Sequence, residues 1–208
     1  MRPAPCRRPR IAVLLAVLVT SGCLGKGTVE PTRHFLLEAL PAPVAAGVDG
    51  PSIGVGPVSL PEYADRPQLV TRAGDNEIEV AAFARWAAPL REQVARTLAE
   101  NLSALLGVDR VAVFPWWEPD GVDYRVVVDI HRFEADAAGN ALLAARWRLH
   151  RKGRVEPVAS GRSEYAAPAG AKGHGAFAAA QSRSLQGLSG EIAAAIREEA
   201  PGGPGGNP

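Results

Sequence analysis

The sequence predicts an α/β fold: a single domain whose mixed β-sheet, with an antiparallel C-terminal meander, is packed by two amphipathic helices. Three observations carry this reading. Two long segments place apolar residues every three or four positions, the period of a helix with one buried stripe. Around them, shorter segments alternate apolar and polar residues and are separated by turns rich in Gly, Asn and Asp. The stretch able to fold contains no cysteine, so its stability must come from an apolar core.

In chain order, the first extended run is His34–Leu40, ended by Pro41. Ile53–Leu60 follows, and Pro57 removes a ladder donor from it, which predicts an edge strand or a bulge. Gln68–Arg72 and Glu77–Ala81 flank Gly74-Asp75-Asn76 and read as a hairpin. The first helix carries the stripe Trp86, Leu90, Val94, Leu98, Leu102, Leu105 and Leu106. Pro89 is tolerable only in a first turn, so the helix is expected to start near Ala87 or Ala88, and Gly107 stops it. Val111–Phe114 is a short strand, and Pro115–Pro119 a loop. In Tyr124–Phe133, Tyr124, Val126, Val128 and Ile130 share one face. Arg125, Val127, Asp129 and His131 make the other, as expected of a half-covered sheet. Ala141–His150 and Val155–Tyr165 complete a three-strand meander. The second helix runs from about Gly175 to Glu199, with Phe177, Leu185, Leu188, Ile192 and Ile196 on its stripe.

The N-terminus reads as a processing signal. Arg2, Arg7, Arg8 and Arg10 precede the nine apolar residues Ile11–Val19, and Thr20-Ser21-Gly22 lead to Cys23. Nine residues are too few for a bilayer span, which takes about 20. Small residues ending on a cysteine resemble a bacterial lipobox, with Thr20 where that pattern usually has Leu. The resemblance implies cleavage before Cys23 and its acylation; the plainer alternative is a secreted protein. The expected organisation is a signal peptide over 1–22, a lipidated linker over 23–32, a domain over 33–199 and a disordered tail over 200–208. The signal takes four of the 23 Lys and Arg, leaving 19 against 22 acids, a balance that excludes the basic footprint of a nucleic-acid binder.

Catalytic patterns are missing from the sequence. His34, His131, His150 and His174 form no metal-binding spacing, although His131 and His150 are candidates to neighbour each other across the meander. Gly54-x-Gly56 is followed by Pro57 rather than by a helix, so it does not read as a phosphate cradle. Glu77 with Glu79, and Glu134 with Asp136, read as solvated acids beside turns. No catalytic residue, metal ligand or cofactor site is expected. Trp116 and Trp117 stand in the Pro-bounded loop, either packed at the sheet edge or exposed as a contact for a partner or lipid.

One stretch goes beyond generic patterning. Ile53-Gly54-Val55-Gly56-Pro57-Val58 leads to Leu60-Pro61-Glu62-Tyr63 and then Asp65-Arg66-Pro67-Gln68-Leu69-Val70-Thr71-Arg72. Arg85-Trp86-Ala87-Ala88-Pro89-Leu90 follows, with Asn101-Leu102 further on. Over about Arg33 to Ile196 this resembles the PqiC/YmbA family, the auxiliary lipoproteins of ABC-type transport systems. Ala64 stands where the family often has Leu, and Ala88 where it often has an acid.

The resemblance implies a non-catalytic, lipid-anchored periplasmic subunit of an MCE-type lipid transport system. Its partners would be the membrane, through the lipid, an MCE-domain tunnel protein and, indirectly, an ABC permease and ATPase; a ring-like homo-oligomer is compatible with it. Leu24 after the acylated cysteine fits sorting to the outer membrane. The alternative is a structural lipoprotein that maintains the outer membrane without transport. The motif residues Pro61, Tyr63, Arg66, Pro67, Gln68, Arg85 and Trp86 are the candidate partner site, joined by Trp116 and Trp117. Two prolines stiffen the loop, so it either closes the domain through Trp86 or presents Tyr63, Arg66 and Gln68 to a partner.

Overall fold

The computed structural model describes residues 30–41, 50–116 and 121–200. The expected signal peptide, Cys23, Trp117 and the tail from 201 onward lie outside them. The elements are β1 (Arg33–Phe35), β2 (Ile53–Ser59), β3 (Gln68–Arg72), β4 (Ile78–Trp86), helix α1 (Leu90–Leu106), β5 (Val111–Val113), β6 (Tyr124–Ala135), β7 (Ala141–Arg151), β8 (Ala159–Ala167) and helix α2 (His174–Glu199). They form the single mixed sheet with two helices that the sequence predicts.

Strand β6 is the spine. One of its edges carries β7 in antiparallel register along its whole length, and β8 follows antiparallel to β7. The opposite edge is shared. β2 pairs parallel to β6 as far as Ser59↔Asp129, and β3 meets it, also parallel, at Thr71↔Ala135. Beyond β2 lies β5, and beyond β3 lie β4 and then β1. Both helices cover one face: α1 packs on β2 and β5, α2 on β6, β7 and β8, and the two pack on each other.

The alternation read from the sequence is the burial pattern observed. Tyr124, Val126, Val128 and Ile130 of β6 and Leu143, Ala145, Trp147 and Leu149 of β7 are buried beneath the helices. They meet Leu98 and Leu102 of α1 and Leu185, Leu188 and Ile192 of α2, none of them accessible to solvent. Burying such side chains contributes about 1.5–3 kcal/mol each, so the core suffices without disulfides.

Three boundaries differ from the sequence reading, each for a local reason, and of the two alternatives for β2 the bulge is the one observed, in a strand that lies between β5 and β6 and not at an edge. Its register shifts between Val55 and Val58, so Pro57, which has no N–H to give, falls in a bulge where the ladder asks for none. Trp86 ends β4 instead of opening the helix, which begins at Leu90 behind an extended Pro89. A residue before proline avoids helical backbone, so Ala88 cannot belong to a helix that Pro89 continues. The N-terminal strand stops at Phe35. After it the chain runs over the helices, where buried polar side chains hold its backbone. The N–H groups of Leu37, Glu38 and Leu40 donate to Gln93 Oε1 (3.1 Å), Ser182 Oγ (3.0 Å) and Asn101 Oδ1 (2.7 Å). Finally, β8 starts at Ala159, leaving Val155 in the turn and 92% exposed. Gly107 does stop α1, in the left-handed conformation at φ 69° that glycine adopts without strain.

Candidate functional site

The motif between β2 and β3 is a tight, anchored turn. The Pro61 carbonyl accepts the N–H groups of Ala64 (2.9 Å) and Asp65 (3.0 Å), and Arg66 N–H donates to the Ala64 carbonyl (2.8 Å). Leu60 and Ala64 are buried, which fixes the turn against the core. Its far end is pinned twice. Trp86 N–H donates to the Pro67 carbonyl at 2.7 Å, and Asp65 pairs with Arg91 in the first turn of α1. The loop therefore joins sheet to helix through backbone and an ion pair.

Beneath the turn lies a polar centre that the sequence reading placed on a solvated face. Glu134 is completely buried. Its Oε2 accepts the Tyr63 hydroxyl at 2.5 Å and the Phe133 N–H at 3.0 Å. Its Oε1 accepts Arg72 Nε at 3.0 Å and Arg132 Nε at 3.2 Å. A buried carboxylate is tolerable only when paired and hydrogen-bonded, and here two guanidiniums and two neutral donors do this. Tyr63 and Arg72 come from the motif, more than 60 residues earlier in the chain. Nothing local to Glu134 announces that they will cover it.

The position of this centre explains its composition. It sits where β2 has left the edge of β6 and β3 has only begun to pair, so side chains bridge a stretch without backbone partners. Burial and the bond to Glu134 push the Tyr63 hydroxyl up to about 12, and the same carboxylate raises the Arg72 guanidinium further. Tyr63 thus stays protonated and donating, and Arg72 charged. Asp136, read together with Glu134, does something different. It accepts Asn140 N–H (2.8 Å) and Nδ2 (2.9 Å), holding the β6–β7 turn.

The other predicted site residues divide between core and surface. Trp86 is 5% exposed, its ring centroid 6.2 Å from each of Phe133 and Phe177. Pro61 and Gln68 are half-buried, whereas Arg66, Pro67 and Arg85 are exposed. Gln68 and Arg85 face each other across β3 and β4, so the exposed motif residues lie together at one end of that pair. Arg66 makes no ion pair among the described residues. Trp116 is half-buried against Gly54, where a Cβ would come within 2.9 Å of the indole, and Phe114 meets its ring edge-on at 5.3 Å. Phe114 remains 51% exposed and lines a groove of about 280 Å³ with Pro57, Val58, Ala95, Arg91 and Arg96.

Among the described residues no group of three or more His, Cys, Asp or Glu side chains is placed to hold a metal. His131 and His150 are not neighbours: His150 pairs with Arg125, several residues along β6, while His131 falls in a register shift and approaches Asp129 at 3.6 Å. No helix among the described residues is long and apolar enough to cross a membrane.

Comparison with known families then decides the relationship. The model of the ABC-type transport auxiliary lipoprotein component matches residues 35–193, from the end of β1 to the last turns of α2. The chain belongs to this family. Its members are auxiliary transport components, and membership carries with it a lipoprotein held at a membrane of the cell envelope. Among solved structures it is similar to protein XCC0632 from Xanthomonas campestris, of the family DUF330. The identity is 23%, over 79% of this chain and 93% of that one, with a TM-score of 0.63. It is equally similar to an uncharacterised protein, at 20% identity over 80% of this chain and 99% of that one, also with a TM-score of 0.63. These likenesses extend to the fold. No curated protein matches the sequence.

Proposed function

We propose that this auxiliary lipoprotein is a non-catalytic, lipid-anchored periplasmic subunit of an MCE-type ABC lipid transport system, docking the transport tunnel at the outer membrane. The observation that carries the reading is the family match over nearly all of the folded domain. Cys23 behind its basic and apolar leader supplies the anchor, and Leu24 after it favours outer-membrane sorting. The mechanism is positioning: the lipid restricts the domain to a membrane, and a preformed surface grips the tunnel protein.

For that surface we propose the exposed part of the motif, Arg66, Pro67 and Arg85 beside Gln68. The Glu134 centre and the Asp65–Arg91 pair hold the loop from behind, so the backbone that carries Arg66 is already fixed when its guanidinium meets a carboxylate. Trp116, Trp117 and Phe114 offer a second, aromatic contact. The test is crosslinked capture of the acylated protein from native membranes, with mass spectrometry of proteins and lipids. An MCE-domain protein with an ABC permease or ATPase is the expected recovery. Capture of outer-membrane assembly or cell-wall proteins alone would refute the transport role.

A further inference from the structure

The sheet has a second face, opposite the helices, and its chemistry is one-sided. The mature chain carries more acids than bases, yet β6, β7 and β8 expose Arg125, Arg146, Arg148 and Arg162 there. Register brings these side chains together: Arg146 stands between Arg162 on β8 and Asp129 on β6, and Arg125 stands opposite His150. Like charges directly across strands, as at Arg146 and Arg162, destabilise a sheet, and an anion laid over this face relieves that. The acids near these arginines are few. Glu164 pairs with Arg162 at 2.9 Å, Asp129 faces Arg146 across β6 and β7 but bonds Ser59 and approaches His131, and Glu156 acts on His150. Arg125, Arg146 and Arg148 have no ion pair among the described residues. His150 registers the resulting field: burial, then the Arg125 and Arg148 guanidiniums, hold its pKa below the ordinary histidine value.

We propose that this helix-free face lies against the anionic phospholipid headgroups of the bilayer that holds the lipid anchor, an inference that rests on acylation of Cys23. Two observations select a membrane as the occupant. The face is broad and sheet-like, and these three guanidiniums stand among half-buried Val127, Leu142 and Ala144, which suits a plane of phosphates. The tether is also short. Ten residues lead from Cys23 to Arg33, a reach of no more than about 35 Å when fully extended. The domain cannot leave the headgroup region far behind, and the orientation it adopts there is set by its charge.

The acylated full-length protein carrying S160C tests this. Ser160 is exposed on the same face opposite Arg148. Cys6 leaves with the signal and Cys23 is capped by lipid, so the introduced thiol is the single free one. A fluorophore there reports energy transfer to headgroup-labelled lipid in vesicles of phosphatidylcholine, with or without phosphatidylglycerol. Transfer is expected to rise with phosphatidylglycerol, fall as salt shortens the screening length, and fall again in R125Q/R146Q/R148Q. Each arginine near an anionic surface is worth about a fivefold shift in orientation, so three shift it by about two orders of magnitude. These exposed replacements leave the core intact, which circular dichroism verifies. Transfer that ignores phosphatidylglycerol, or that the triple variant retains, overturns the proposal. Recovery of an acidic protein by a crosslinker on the introduced thiol, with transfer flat, overturns it in favour of a protein partner. Protein that fails to float with any vesicle instead removes the anchor, and both readings with it.

Discussion

Replacing Tyr63 by Phe isolates the buried centre in one oxygen atom. The ring stays and keeps its packing, while the hydroxyl that donates to Glu134 Oε2 at 2.5 Å is lost. A hydrogen bond to a charged, buried acceptor contributes about 1.5–3 kcal/mol. Oε2 retains the Phe133 N–H, so the acceptor is weakened rather than abandoned, and about 2 kcal/mol is expected. For a domain of this size that lowers Tm by roughly 4–8 °C. Urea unfolding of the two proteins should show the lower midpoint with an unchanged slope. The pH dependence provides an independent check. The folded-state value of Tyr63 is raised to about 12, above its unfolded value, so its contribution is complete below about pH 10. It is lost as pH rises through about 12, and the advantage of the natural protein over Y63F should shrink across that window. Equal stability at neutral pH, or a gap that persists undiminished at pH 12, would refute the role assigned to this bond.

Three further outcomes follow from the same geometry. W86A empties a site between Phe133 and Phe177 and should cost about 3–5 kcal/mol in chemical unfolding. R66A alters an exposed side chain without an ion pair among the described residues, so stability should change by less than about 0.5 kcal/mol while capture of the membrane partner falls. Lost folding in R66A would mean that the motif serves the domain and not a partner. G54A sets a methyl group within 2.9 Å of Trp116, displacing the indole at a cost of about 1–3 kcal/mol, visible as altered near-ultraviolet dichroism.

What could be read from the sequence is what short-range periodicity encodes. The stripes of both helices, the alternating faces of β6 and β7, the hairpin of β3 and β4 and the stop at Gly107 depend on residues within a few positions of one another. The family relationship was legible for a similar reason, since the Leu60–Arg72 and Arg85–Leu90 motifs are nearly contiguous. Tertiary structure alone decided which strands flank β6 and therefore that β2 is central, because parallel pairing joins segments whose sequences do not mention each other. It also decided that Glu134 is a buried anchor and not a solvated acid. A carboxylate's environment is set by whatever packs over it, and here that is Tyr63 and Arg72, which only the meeting of β3 with β6 brings near.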